Sequence, residues 1–270
     1  MAELSADPHP EIVAALRAAG CVFAEEEAAL LEVGSREGGD LPLMLARRVA
    51  GEPLEQVLGW AEFCGLRIKV APGVFVPRKR TEAVAEMAIK LASHVDHRPV
   101  VVDLCCGTGA IGVAVAASLP GIELHATDID PGAVACARLN ATMGQVHEGD
   151  LYEGLPLDLR GRVDLLLVNA PYVPTDEVKL MPPEARLHEH HLALDGGADG
   201  LDLHRRIAAA AGEWLAPGGS LLIETSPRQA ANTAHFCIEA GLTVQILGGD
   251  PVRVVRAISS GSGSSGTMTG

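Results

Sequence analysis

The spacing of hydrophobic positions changes twice along the chain, and the changes divide it. Up to about residue 58, apolar residues recur at helical spacing in short runs separated by breakers. These runs cover residues 10–19, residues 25–33 with an acidic first turn, and residues 41–50 behind Asp40, whose carboxylate suits an N-cap. A small helical domain over residues 1–58 is predicted. Between Trp60 and Val76 the period shortens. Two β-prone runs, residues 66–70 and 74–76, flank Ala71-Pro72-Gly73 and predict a β-hairpin linker within residues 59–78. Residues 82–93 then place Ala, Val, Met, Ile and Leu on one helical face.

From Pro99 the pattern alternates between buried strand and helix. Residues 100–106 form a continuous apolar run broken only by Asp103, and Gly107-Thr108-Gly109 leads into a small-residue helix over 110–119. Strands follow at 123–129, 145–148, 163–168 and 220–224, with helices at 131–143, 201–215 and 228–240. Pro217-Gly218-Gly219 is read as the stop of the 201–215 helix, and residues 243–247 pair with 252–258 as a closing antiparallel hairpin. Strand–helix repetition of this kind predicts an α/β domain over residues 79–258, a Rossmann-like doubly wound sheet. Residues 259–270 are almost entirely Ser, Gly and Thr and are expected to be a disordered tail.

The stretch VDLLLVNAPY, Val163 to Tyr172, carries the most specific chemistry. An apolar strand that stops at Asn169-Ala170-Pro171-Tyr172 suits the carboxyl end of a parallel strand, where open α/β sheets hold ligands. The Asn169 carboxamide and the carbonyl of Ala170 form an acceptor pair for a planar NH2 group, an amide or an exocyclic base amine. Pro171 fixes its own φ and biases Ala170 toward extended geometry, while Tyr172 covers the flat face of the bound group. Taken alone, these four residues also describe an ordinary strand end with a capping Asn and a turn Pro.

Other strand tips bear on that choice. Asp103-Leu104-Cys105-Cys106-Gly107-Thr108-Gly109 puts glycines where backbone passes close to a ligand, although Cys105 occupies the position of the leading glycine in the dinucleotide fingerprint. Asp128 ends the next strand, where a ribose diol can donate to it, and Asp150 ends the one after, near the expected place of an adenine amine. Glycine loop, two acids and an Asn-Ala-Pro-Tyr tip on successive strands fit an S-adenosylmethionine-dependent methyltransferase better than a nicotinamide enzyme. His188-Glu189-His190-His191 lacks the H-E-x-x-H spacing and reads as a solvated loop rather than a metal site. Cys105 and Cys106 read as small apolar spacers, and Trp60 and Phe63 as interdomain packing.

Composition narrows the picture further. Aromatic residues make up only 3% of the chain, so its core is built from Ala, Val and Leu. The formal charge of −14 disfavours attraction to phosphate backbones. The helical end is itself acidic, with six Lys and Arg against twelve Asp and Glu over residues 1–75. Six cysteines without a C-x-x-C pairing predict reduced thiols, hence a cytoplasmic protein, and no uncharged apolar stretch reaches membrane-spanning length.

The chain resembles the HemK-type protein N5-glutamine methyltransferases over nearly its whole length. The resemblance rests on Gly51-Glu52-Pro53-Leu54, Glu62-Phe63, Pro72-Gly73-Val74, Pro77-Arg78 with Thr81-Glu82, and the glycine loop. It continues in Asp128-Ile129-Asp130-Pro131, Gly149-Asp150-Leu151, the Asn-Ala-Pro-Tyr tip, Leu192-Ala193-Leu194-Asp195-Gly196-Gly197 and Asp199-Gly200-Leu201. It implies a class I S-adenosylmethionine-dependent fold with a substrate-recognising helical domain. The activity implied is N5-methylation of the glutamine of the Gly-Gly-Gln motif in peptide-chain release factors. The implied cofactor site comprises Asp103, Cys105, Gly107, Thr108, Gly109, Asp128, Ile129, Asp150, Leu151 and Asn169, and the catalytic tip comprises Asn169, Ala170, Pro171 and Tyr172. Arg78 and Arg80 join Asn169 and Tyr172 on the acceptor side.

Two departures stand out. Ala170 replaces the first proline of the family's Asn-Pro-Pro-Tyr, and Arg80 replaces the first glutamate of Pro-Arg-x-Glu-Thr-Glu, reversing a charge at the expected mouth of the site. The alternatives are another amide or amine acceptor, on a small molecule or a nucleic acid, and a cofactor-binding protein without catalysis.

Overall fold

The computed structural model describes residues 9–260, so residues 261–270 of the Ser/Gly tail lie outside the described residues. Helices α1 (Pro10–Ala18), α2 (Ala24–Arg36), α3 (Leu41–Val49) and α4 (Leu54–Leu58) come first. They close on a core of their own that includes Leu16, Leu31, Met44 and Val57. Asp40 caps α3 as expected, its Oδ1 accepting from Leu43 N at 3.2 Å. The short α4 was not anticipated. It begins after Pro53 and stops at Gly59, whose left-handed φ of 79° ends it.

The hairpin is placed differently from expectation. Its strands are β1 (Trp60–Phe63) and β2 (Leu66–Lys69), and Cys64 and Gly65 turn it with φ of 49° and 73°. Two successive positive φ values match the twist of a two-residue hairpin turn. Residues 74–76 form no strand; Val74 is buried in a cluster with Ala133 and Cys136, and Val76 in one with Ala61 and Val70. Phe63 is wholly buried and belongs to the main core, with Val84 and Ala85, rather than to an interdomain seam.

The remaining elements are α5 (Glu82–Ala92), β3 (Val100–Leu104), α6 (Ala110–Ser118), β4 (Glu123–Asp128), α7 (Pro131–Asn140), β5 (Gln145–Glu148) and β6 (Val163–Val168). After them come α8 (Pro183–His188), α9 (Asp202–Trp214), β7 (Leu215–Thr225), α10 (Ala230–Glu239), β8 (Thr243–Gly248) and β9 (Arg253–Ile258). Seven strands order as β5-β4-β3-β6-β7-β9-β8. The first five are mutually parallel, while β9 runs antiparallel to β7 and β8. This is the class I methyltransferase arrangement, a doubly wound sheet closed by an antiparallel hairpin. The Pro-Gly-Gly triplet lies inside β7, which begins at Leu215 directly after α9. Gly219 is needed there, because a Cβ would sit 2.6 Å from the Val163 carbonyl.

Parallel strands buried on both faces need apolar residues at every position, and each residue of β3 and β6 is buried. One face packs against α9 and α10 through Ile207, Ala211, Ala234 and Cys237. The other packs against α5 and α6 through Ala85, Ala88 and Ala114. The chain reverses its winding between β3 and β6, and a crevice opens at their carboxyl ends.

Two side chains tie the helical unit to the segment between β6 and α9. Arg48 is buried and pairs with Glu27 of α2 at 2.6 Å and with Glu184 of α8 at 2.7 Å. Gln56 Nε2 donates to the carbonyls of Val74 and His188 at 3.2 and 3.1 Å. No helix among the described residues is long and apolar enough to cross a membrane.

Candidate active site

A cavity of about 480 Å³ opens at the switch point. Its floor is the carboxyl edge of β3, β4 and β6, and its cover is the segment 73–77 together with 181 and 192–197. The glycine loop after β3 forms one wall. Cys105 takes the leading position with φ of 55°, the left-handed backbone that the dinucleotide fingerprint fills with glycine, and Gly107 and Gly109 follow at 56° and 76°. Burial pushes the thiols of Cys105 and Cys106 up, so neither is prepared as a nucleophile.

Beneath this loop Asp103 is buried with one oxygen satisfied. Its Oδ2 accepts from Gly112 N at 2.9 Å, while Oδ1 has no hydrogen-bond partner among the described residues. Burial raises its pKa to about 7, against the pull of the Gly112 hydrogen bond. Gly112 has no room for a side chain, since a Cβ would stand 3.2 Å from that carboxylate and 2.9 Å from Leu124. Asp128 ends β4 and receives Gly107 N at 2.8 Å and Asp130 N at 3.0 Å on separate oxygens. Burial raises its pKa as well. Asp150 lines the cavity and pairs with Arg206 at 2.8 Å.

The acceptor end lies at the tip of β6. Asn169 is half-buried on the cavity wall, and its Nδ2 donates to Thr81 Oγ1 at 3.4 Å. The Tyr172 hydroxyl receives Arg80 Nη2 at 3.1 Å, and burial raises the Tyr172 pKa. The tip is zipped to the later loop: Val173 N donates to Leu194 O at 3.2 Å, and Gly196 N to Val173 O at 2.8 Å. Gln229 Nε2 donates to Tyr172 O at 2.9 Å. A Cβ on Gly200 would stand 2.3 Å from the same carbonyl, and one on Gly196 would stand 2.7 Å from Pro171 O.

Most of the expected site residues meet on this cavity: Cys105, Gly107, Thr108, Asp128, Ile129, Asp150, Leu151, Asn169, Ala170, Pro171, Tyr172 and Arg80. Three stand off its wall. Asp103 lies below the loop, Gly109 starts α6, and Arg78 turns to Glu189. The His188-Glu189-His190-His191 segment is solvated only in part: His190 and His191 are exposed, while Glu189 is buried. The Glu189 side chain is wholly buried against Arg78 at 2.5 Å and also accepts from Val76 N at 3.2 Å. His190 Nδ1 lies 2.6 Å from Asp130 Oδ2. Its backbone N donates to Gly73 O at 2.9 Å. The segment therefore latches the cover down. Among the described residues, no group of three metal-ligating side chains converges anywhere.

Sequence reasoning passed over Thr81, Glu224, Gln229 and Arg206. Two left a trace: Thr81 as part of the Pro77-Arg78 with Thr81-Glu82 match, and Glu224 as an acid ending the apolar run Leu221-Leu222-Ile223.

The residues present fit S-adenosylmethionine. An orphaned carboxylate oxygen lies under a loop that admits close backbone approach, a strand-tip acid is placed for a ribose, and the cavity is of nucleoside size. Residues 65–194 match the family model described as methyltransferase small domain. A release factor glutamine methyltransferase of Geobacter sulfurreducens is 39% identical over 219 residues, 80% of this chain and 75% of that one. A 4-amino-L-phenylalanine/4-methylamino-L-phenylalanine methyltransferase of Streptomyces pristinaespiralis is 38% identical over 192 residues, 69% of this chain and 65% of that one. The crystal structure of a methyltransferase from Pyrococcus furiosus superposes with a TM-score of 0.53 at 17% identity, covering 80% and 97% of the two chains, and shows the shared fold. The fold, the cavity and the relatedness across three quarters of a curated sequence together make this chain an S-adenosylmethionine-dependent methyltransferase that belongs to the release factor glutamine methyltransferase family.

Proposed function

We propose that the chain methylates the side-chain nitrogen of a glutamine in a peptide-chain release factor, in the cytoplasm, and that α1–α4 recognise that protein. The observation that carries this reading is the orientation of Asn169. Its Nδ2 is spent on Thr81, while Oδ1 has no hydrogen-bond partner among the described residues, on a cavity wall shared with Ala170 and Tyr172. Two acceptors, Asn169 Oδ1 and the Ala170 carbonyl, receive the two N–H groups of a primary amide and aim its nitrogen lone pair into the cavity. Tyr172 covers the amide.

Bound S-adenosylmethionine supplies an electrophilic methyl group on a sulfonium. Asp103, Asp128 and Asp150 with the glycine loop hold the donor, and Asn169 holds the acceptor in line. The amide nitrogen gains the methyl group and releases one proton to solvent, so no strong base is required. Positioning of this kind contributes about 7 to 11 kcal/mol in well-aligned systems.

A second reading has an observation of its own. Arg80 is 43% exposed on the cavity wall, and its free N–H groups suit the carboxylate of a free amino-acid acceptor such as the one named for the Streptomyces pristinaespiralis relative. Transfer of labelled methyl to release factor, to release factor with the Gly-Gly-Gln glutamine changed to alanine, and to 4-amino-L-phenylalanine separates the two. Label on the first alone supports the glutamine; label on the third alone moves the reading to an amine.

A further inference from the structure

Glu224 is wholly buried near the end of β7. In the β6–β7 register Ile223 stands opposite Val168, so Glu224 is level with Asn169. Parallel pairing puts both side chains on the face that carries α5, where Leu167 and Leu222 share one cluster with Val84 and Ala88. Neither carboxylate oxygen of Glu224 has a hydrogen-bond partner among the described residues. A buried carboxylate left this way costs more than the hydrogen bonds it forgoes, and it calls for a functional reason.

Few polar groups face it. Arg80 Nε is 3.5 Å from Glu224 Oε1, an ion-pair contact, and Thr81 is buried at the first turn of α5. Tyr172 lies beyond Arg80, bonded to its Nη2. The other charged side chains nearby are turned away. Glu82 of α5 binds Cys64 N and Lys79. On β9, Arg253 donates to Gly248 O and Arg256 to Ser220 Oγ, and the residue opposite Glu224 is Val254.

We propose that Glu224 is a positioning residue for methyl transfer: acting through the Thr81 hydroxyl, and with Arg80 as counter-ion, it sets which end of the Asn169 amide faces the acceptor. The inference rests on the reading of Asn169 given above. A hydroxyl has one hydrogen to give. Asn169 Nδ2 donates to this hydroxyl, and the neighbouring carboxylate is Glu224; while the hydrogen is turned toward an ionised Glu224, Thr81 Oγ1 can only accept. Asn169 then offers it Nδ2, which is the contact observed, and Oδ1 is left for the incoming NH2. Once residue 224 is neutral or apolar, the hydroxyl is free to donate to Asn169 Oδ1. The amide then turns, and its own N–H groups meet those of the acceptor. Burial raises the Glu224 pKa, and Thr81 and Arg80 work against that rise. The charge reversal at residue 80 therefore has a partner: the guanidinium favours the ionised carboxylate against the burial that raises its pKa.

The test is steady-state methyl transfer to release factor over about pH 6 to 9, with S-adenosylmethionine affinity measured by calorimetry on the same proteins. Glu224→Met and Thr81→Val are expected to lower kcat/KM about 10- to 100-fold, the range for a misplaced reacting group, with cofactor affinity held within about twofold. Glu224→Gln, whose amide can turn either way, should fall between, and Thr81→Ser should recover most of what Thr81→Val loses. Arg80→Gln should move the acidic limb of the rate profile to higher pH, and Glu224→Met should remove that limb. A Glu224→Met rate within about threefold of wild type overturns the proposal, as does a limb that neither variant moves. Should Glu224→Met fail to fold, the Thr81 pair and the Arg80→Gln profile decide alone. Asn169→Ala separates the layers: if it still turns over, the reading of Asn169 fails, and if it is silent while Glu224→Met and Thr81→Val are normal, this inference alone fails.

Discussion

Arg78 Nη2 reaches Glu189 Oε1 at 2.5 Å, joining the segment before α5 to a loop 111 residues further on. The same oxygen accepts from Val76 N, and the carboxylate is held without exposure although burial raises its pKa. The contact fastens both halves of the cavity cover. Glu189→Ala should lower the unfolding free energy by about 2 to 3 kcal/mol, the cost of leaving buried partners unpaired, and weaken cofactor binding severalfold. Urea unfolding and calorimetry check both, and an unchanged affinity would show that the cover does not depend on this latch.

Cys105 carries a cost that can be removed. Its φ of 55° is left-handed, which an L-residue occupies at about 1 to 2 kcal/mol. Cys105→Gly relieves that strain but gives back part of the gain as chain entropy in the unfolded state. A net rise in stability of about 1 kcal/mol is expected, read as a higher Tm with cofactor affinity retained. A lower Tm would mean that packing of the Cys105 thiol outweighs the backbone term.

Gly200 illustrates the opposite case. It has φ of 76°, and a Cβ there would stand 2.3 Å from the Tyr172 carbonyl. Gly200→Ala should displace the Asn-Ala-Pro-Tyr tip and lower kcat/KM about a hundredfold while S-adenosylmethionine still binds. A rate near wild type would indicate that the tip tolerates the shift.

His204 of α9 is fully buried, with Nδ1 bonded to Thr233 Oγ1 at 2.9 Å and Nε2 unpartnered. Burial lowers its pKa to about 4 from the ordinary 6.5. Between those values the unfolded chain binds a proton that the native one does not, so stability falls as pH falls through this window. The stability difference between wild type and His204→Gln should shrink by up to about 3 kcal/mol from pH 6.5 to 4. Asp103, raised to about 7, works in the other direction but is common to both proteins. Denaturation at a series of pH values measures the difference, and a flat difference would mean that His204 is protonated in the fold.

What the sequence made legible follows from how local each signal is. Strands β3 and β6 are buried along their full length, so they appear as apolar runs interrupted only by Asp103 and Asp164, and Asn169 past the tip of β6 stands out by contrast. The hairpin was misplaced because Val74 and Val76 are apolar for another reason, Val74 packing on Ala133 and Cys136 and Val76 on Ala61 and Val70, while the true turn Cys64-Gly65 lacks the usual Asn-Gly signature. The His188–His191 segment looked wholly solvated because the burial of Glu189 depends on Arg78, a partner far away in sequence. The roles of Thr81 and Glu224 were unreadable for the same reason: their meaning comes from standing beside Asn169, and only the register of β6 and β7 with the start of α5 puts them there.

Arg48 deserves a mechanical description. One guanidinium is shared by Glu27 within the helical unit and Glu184 in the loop that leads away from the catalytic tip. Load placed on the helices is passed to that loop through this ion pair and through Gln56, which donates to His188 O. Joints of this kind are directional and short-ranged, and they give way when either side chain is lost.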